Sequence, residues 1–70
     1  MSAELIINGT VKTFKEGLPH NLGDLLMLLN IDAATVVAEI DGNIIERKDF
    51  ANTLLEQGAA IELIRFVGGG

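Results

Sequence analysis

The side chains of this chain that are suited to acid–base chemistry are few and lie apart in the sequence. His20 is the only histidine, the residue type that most often transfers protons in enzymes. It stands between Pro19 and a predicted helix N-cap, which favours a loop residue without a catalytic role. The carboxylates of Asp41, Glu46 and Asp49 lie in turn or exposed contexts without a neighbouring nucleophile, which favours solvating charges. These residues predict no enzyme active site.

Motifs for a disulfide, a metal or a phosphate are also missing from the sequence. The chain has no cysteine and a single histidine, which excludes a disulfide framework and a Cys/His zinc site. The glycines at 68–70 are not followed by the helix, the lysine and the hydroxyl residue that a phosphate-binding P-loop requires. The sequence therefore predicts no bound metal or cofactor.

The remaining candidate for chemistry is the carboxylate of Gly70, which ends the run IRFVGGG at residues 64–70. A glycine run of this kind is typical of a frayed terminus or a remnant of cloning. A second interpretation is chemical: a free carboxylate has no leaving group, so it needs activation by another protein. Because glycine adds no width and three extended residues reach about 10 Å, Gly68 and Gly69 would let Gly70 enter a partner's narrow channel.

Length, composition and charge predict one small domain that binds proteins and neither nucleic acids nor membranes. With 70 residues, of which 49% are hydrophobic, the chain is long enough to bury a small aliphatic core. Its net charge of −5 and its scattered basic residues argue against nucleic acid and favour a basic protein partner. No basic leader precedes the first strand, and the longest apolar run, LLMLL at 25–29, is too short to span a bilayer. We therefore expect a cytoplasmic monomer.

The first half of the chain predicts a hairpin followed by a helix. Asn8-Gly9 separates two short runs of β-type residues, and both residues tolerate the positive φ angles of a tight turn. Alternation points Leu5 and Ile7 toward the core. Asn21 is the predicted N-cap of an amphipathic helix whose apolar residues recur at helical spacing: Leu22, Leu25, Leu26 and Leu29.

The second half predicts short strands around one helical turn. A strand from Thr35 to Ile40 leads through an Asp41-Gly42 turn into a shorter strand at 43–45. A helical turn at 49–52 follows, and Gly58 is expected to open a last strand, AIELIRFV at 60–67. The predicted plugs of the core edge are Phe50 and one of Leu54 or Leu55.

The helix is expected to cover one face of the sheet, because its leucines carry too much apolar surface to leave in water. In the last strand Ile61 and Leu63 share the covered face, so the other face presents Val37, Ile64 and Phe66. Exposed apolar side chains that gather together typically mark a binding surface, and we predict that these residues bind a partner. For Phe66 alone, folding back over the core edge is the alternative.

Segments along the whole chain match one known family in order, spacing and position. They are the early NG turn, the LGDLL helix start, VVAEIDGNIIERKDF, the LLEQG approach to the last strand, and the ending IELIRFVGGG. Together they resemble the thiamine-biosynthesis sulfur carrier family (ThiS), small ubiquitin-like β-grasp proteins that end in Gly-Gly. The resemblance implies an α+β fold, a single β-grasp domain at residues 1–67 with a mixed sheet of four to five strands and one main helix across one face. A flexible glycine tail would follow at 68–70.

The same resemblance implies a protein co-substrate, not an enzyme, with no cofactor of its own. A ubiquitin-activating-type adenylyltransferase would use ATP and Mg²⁺ to convert the Gly70 carboxylate to an acyl adenylate. A sulfur donor fed by a cysteine desulfurase would then leave a thiocarboxylate at Gly70. Thiazole synthase would consume that sulfur while building the thiazole ring of thiamine.

Alternatives stay open at the level of the sequence. Another sulfur carrier, such as the small subunit of molybdopterin synthase, has the same fold and terminal chemistry, although it more often shows Pro-Pro where this chain has Phe66-Val67. A ubiquitin-like modifier joined to lysines, or a binding module with an inert tail, belongs to a different class. These readings differ in product: a free thiocarboxylate, an isopeptide-linked conjugate, or no reaction.

Overall fold

Five strands and one α-helix form the framework of the computed structural model, which describes residues 2–65. The helix α1 spans Leu22–Leu28, and the strands are β1 (Ala3–Ile7), β2 (Thr10–Phe14), β3 (Val36–Ile40), β4 (Asn43–Ile45) and β5 (Ala60–Arg65). Two 3₁₀ helices, Ala33–Thr35 and Arg47–Asn52, precede β3 and β5. The strands form a sheet in the order β2-β1-β5-β3-β4, with β1 and β5 parallel and the other neighbours antiparallel. The predicted α+β architecture, a mixed sheet with one main helix, is confirmed.

Two turns of similar sequence and backbone conformation connect the strands of the two hairpins, β1–β2 at one side of the sheet and β3–β4 at the other. Asn8 and Gly9 have φ angles of 50° and 81°, and Asp41 and Gly42 have φ angles of 50° and 87°. Consecutive positive φ angles match the right-handed twist of the flanking strands, and Asn, Asp and Gly adopt them at the lowest cost. Both predicted turns are therefore confirmed.

The helix α1 begins where the sequence predicts. The side chain of Asn21 accepts a hydrogen bond from the backbone N–H of Asp24 (2.8 Å), which satisfies one of the free donors of the first turn. The Leu22 N–H donates to the Thr53 carbonyl (2.9 Å) and so ties the helix start to the segment before β5. Leu29 is the C-cap and is half-buried, so the helix is shorter than the leucine pattern alone suggests.

The core lies between α1, the 3₁₀ helix Arg47–Asn52 and one face of the sheet. Phe50 is 4% exposed and plugs the core edge as predicted, whereas the choice between the two following leucines falls on Leu55, since Leu54 is 64% exposed. The buried apolar residues are Leu5, Phe14, Leu22, Leu25, Leu26, Val36, Ala38, Phe50, Ala59, Ile61 and Leu63.

Some predicted boundaries move by one or two residues. Thr35 belongs to the 3₁₀ turn and not to β3, because its hydroxyl and N–H both donate to the Asp32 carbonyl (2.7 and 2.9 Å). The predicted start of the last strand at Ala60 is confirmed, and Gly58 lies in the turn before it with a left-handed φ of 78°. The 3₁₀ helix at 47–52 also starts two residues before the predicted turn at Asp49.

Candidate functional site

β5 is the element that leads to the predicted glycine tail. It lies at the centre of the sheet, parallel to β1 on one side and antiparallel to β3 on the other. Ile61 and Leu63 face the core and are 1% and 7% exposed. Gly68, Gly69 and Gly70, like Phe66, lie outside the described residues, so the roles predicted for them stay predictions.

Turn residues hold both ends of β5. Near its start, the Ala60 N–H donates to the Asp41 carboxylate (3.1 Å), and the Asp41 N–H donates to the Ala60 carbonyl (2.8 Å). Near its end, the Leu63 N–H donates to the side-chain oxygen of Asn8 (2.8 Å), and the Asn8 amide nitrogen donates to the Leu63 carbonyl (3.3 Å). The sequence identified both residues as turn formers, but their bonds to β5 depend on the strand order, which local patterns do not reveal.

The face of the sheet opposite α1, called the open face below, carries the predicted apolar patch. Val37 of β3 and Ile64 of β5 are register partners on this face. Ile64 is 53% exposed and Val37 is half-buried. Side chains paired in this way lie about 5 Å apart at Cβ, so the structure brings these two predicted residues together.

A row of three side chains, two of them acidic, runs beside this pair on the open face and is called the acidic row below. It consists of Ile44, Glu39 and Glu62, which are register partners across β4, β3 and β5. Like charges placed directly opposite each other on neighbouring strands repel and destabilise the sheet. Among residues 2–65 neither carboxylate has an ion-pair partner, since the ion pair found there joins Lys48 to Glu46 (3.7 Å). The open face therefore offers a partner both apolar surface and uncompensated negative charge.

The remaining polar candidates of the sequence form no reactive cluster. His20 is exposed in the loop before α1 and lines a shallow groove together with Asp24 and Leu28. Glu46 pairs with Lys48 on the surface, as expected for a solvating charge. Within residues 2–65, no group of three potential metal ligands comes together. In the same range, no helix is long and apolar enough to cross a membrane.

Comparison with known proteins assigns the family. The model of the ThiS family matches residues 5–70, which is nearly the whole chain. The chain belongs to the ThiS family. The resemblance drawn from the sequence is thereby confirmed. A search among curated proteins finds no match.

Solved structures of ThiS proteins share the fold. The chain is similar to the crystal structure of the thiamine biosynthesis protein ThiS from Geobacter metallireducens, with 35% identity, a TM-score of 0.80, and coverage of 96% of this chain and 99% of that one. It is also similar to a solution NMR structure of a thiamine biosynthesis protein from the same organism, with 34% identity, a TM-score of 0.79, and coverage of 96% and 87%. The predicted β-grasp fold of the ThiS family is confirmed.

Proposed function

We propose that the chain is the sulfur carrier of thiamine thiazole biosynthesis and that the Gly70 carboxylate carries the sulfur. The observation that carries this proposal is the extent of the family match, which runs to residue 70 and so includes the glycine tail. The central position of β5 supports it, because a strand paired on both sides gives the tail a firm base. The similar solved structures are of thiamine biosynthesis proteins, which favours the same pathway here.

The reaction starts with activation, because the Gly70 carboxylate has no leaving group. A carboxylate oxygen attacks the α-phosphate of ATP on a ubiquitin-activating-type adenylyltransferase, and pyrophosphate leaves with its charge neutralised by Mg²⁺. The product is an acyl adenylate. The terminal sulfur of a donor persulfide, fed by a cysteine desulfurase, displaces AMP, and a thiol then cleaves the S–S bond. A thiocarboxylate remains at Gly70, and thiazole synthase consumes its sulfur.

In this scheme the chain is a co-substrate, and its partners supply the catalytic groups. The open face is the docking surface for the adenylyltransferase, with the Val37–Ile64 pair as the apolar contact and Phe66 as a further predicted contact. The carboxylates of Glu39 and Glu62 call for basic side chains on that enzyme, since complementary charge speeds encounter and selects the partner. This is consistent with the net charge of −5.

Loading with sulfur tests the proposal directly. The parent chain is incubated with the adenylyltransferase, ATP, Mg²⁺ and sulfide, and its intact mass is measured for the exchange of one oxygen for sulfur. We expect loading of the parent and none of the variant that lacks Gly70. Gly69→Val keeps the carboxylate but adds width and restricts the backbone, so it should load slowly. The Gly70 deletion still ends in two glycines and a free carboxylate, so its loading as fast as the parent would show that the reaction does not require a carboxylate at position 70.

A further inference from the structure

The side chain of Asn8 continues the sheet at the point where β1 stops. β1 ends at Ile7, and the Asn8 N–H makes the last backbone bond of this pairing, to the Ile61 carbonyl (2.9 Å). The chain then turns away at Asn8, whose φ is 50°, while β5 runs on to Arg65. Leu63 thus faces a place that the backbone of β1 does not reach. The Asn8 amide occupies that place and bonds both the N–H and the carbonyl of Leu63.

An amide is well suited to this position. It offers a donor and an acceptor side by side, as a peptide group does, so one side chain replaces one step of the strand ladder. Asparagine also adopts left-handed backbone angles more readily than other residues with a side chain, apart from aspartate. An aspartate at position 8 would accept from the Leu63 N–H but could not donate to its carbonyl.

The turn at the other end of β5 shows the difference in chemistry. There the Asp41 backbone N–H already donates to the Ala60 carbonyl, so the side chain has to supply only an acceptor. A carboxylate is sufficient for that. At Leu63 the Asn8 side chain must supply both a donor and an acceptor, because the Asn8 backbone N–H already donates to the Ile61 carbonyl.

We infer that Asn8 is a positioning residue that fixes the direction in which the chain leaves the sheet toward residues 66–70. On the β3 side, the pairing of β5 continues to its last residue, since Arg65 is the register partner of Val36. On the β1 side, within residues 2–65, the bonds that hold Leu63 come from the Asn8 side chain. The inference rests on the proposed function. The direction in which the chain leaves the sheet matters only when the tail delivers a reactive group.

A small change of direction at Leu63 has a large effect at Gly70. In a tail that a partner's channel holds extended, each residue would add about 3.3 Å, so a tilt at Leu63 would grow to several ångströms at the carboxylate. A misplacement of about 1 Å at a reacting atom can slow a reaction by as much as about 100-fold. Docking through the Val37–Ile64 pair does not depend on this direction, because the register with β3 fixes that pair. Loss of the Asn8 bonds should therefore lower kcat for adenylation more than it raises the KM for the carrier.

The experiment compares glycine at the two turns. Asn8→Gly keeps the left-handed turn and removes both bonds to Leu63, whereas Asp41→Gly has the same glycine entropy cost and removes a bond at the far end of β5. Pyrophosphate release by the adenylyltransferase is measured with ATP, Mg²⁺ and increasing carrier. A variant that is merely less folded dilutes the competent carrier and raises KM, whereas a misdirected tail lowers kcat at saturation.

We expect kcat to fall about ten-fold in Asn8→Gly, the size of roughly one net hydrogen bond, and to stay at the parent value in Asp41→Gly. Asn8→Asp keeps the acceptor and should fall between the two. Amide hydrogen exchange at Leu63 should be faster in Asn8→Gly than in Asp41→Gly. An unchanged kcat in Asn8→Gly, or an equal loss in both glycine variants, would overturn the inference and leave the sulfur carrier standing. A parent chain that releases no pyrophosphate would refute the proposed function and this inference with it.

Discussion

Along each strand the side chains alternate between the two faces of the sheet, but in the part of the chain that the structure describes only one of these faces is covered by other elements. On the face that carries α1, Leu5 is 0% and Ile61 is 1% exposed, whereas Ile64 on the open face is 53% exposed. α1 and the 3₁₀ helix Arg47–Asn52 together bury one face of this small sheet. The apolar residues thus fall into a set that stabilises the fold and a set that is accessible to another protein.

The faces differ in charge as well. Within residues 2–65 no polar or charged residue is buried, so the covered face gains its stability from apolar packing alone. The open face instead places Glu39 opposite Glu62, an arrangement that costs stability. Repulsion of this kind is relieved when a cation binds between the carboxylates. The contrast predicts opposite responses: mutations of the covered face should unfold the chain, and mutations of the open face should impair binding.

Leu26→Ala on the covered face should have the largest effect. Leu26 is 1% exposed, and truncating a buried leucine costs about 2–5 kcal/mol, which is comparable with the total stability of a small domain, about 5 kcal/mol. We expect the thermal midpoint to fall by more than about 10 °C in circular dichroism. Met27→Ala is the control on the same helix, because Met27 is 77% exposed. Equal midpoints for the two variants would contradict the assignment of the covered face.

Ile64→Asp on the open face should impair binding while changing the stability of the fold little. The substitution puts a charge into the proposed apolar contact, and we expect affinity for the adenylyltransferase to fall about ten-fold or more, with a stability change within about 1 kcal/mol. Isothermal titration and thermal melting measure the two effects. Val11→Asp is a matched control, since Val11 is 56% exposed on the same face but lies on β2, away from β5. Similar binding by Ile64→Asp and the parent would remove the pair from the docking surface.

Glu62→Gln should have the smallest effect and the most specific one. Removing one of two opposed charges should raise the free energy of unfolding by about 0.2–1 kcal/mol and at the same time weaken binding a few-fold. Glu16→Gln, an exposed loop position, removes the same net charge without touching the pair. A substitution that makes the protein more stable but a poorer ligand is the signature of a site kept for a partner. Tighter binding by Glu62→Gln would argue against a basic partner surface at this row.

Much of the fold could be predicted from local sequence patterns, whereas the rest depends on contacts between residues far apart in the sequence. The turns at Asn8-Gly9 and Asp41-Gly42 and the helix start at Asn21 follow from residues a few positions apart, and all were predictable. The choice of Leu55 over Leu54 depends on how a 3₁₀ helix ends, which no periodicity encodes. The register that sets Glu39 against Glu62, and the reach of Asn8 to Leu63, both require β5 to lie between β1 and β3. That placement comes from tertiary packing, so the acidic row was not predicted.

The most direct test of the central claim is to locate the sulfur within the chain. After loading with the adenylyltransferase, ATP, Mg²⁺ and sulfide, the protein is cleaved by trypsin, which cuts after Arg65 and releases residues 66–70 as one peptide. The peptides are then weighed. We predict that the mass gained by exchanging an oxygen for sulfur appears on the peptide 66–70 and on no other. Sulfur on any other peptide, or a peptide 66–70 of unchanged mass from a chain that the enzyme has adenylated, would contradict the claim that Gly70 is the carrier group.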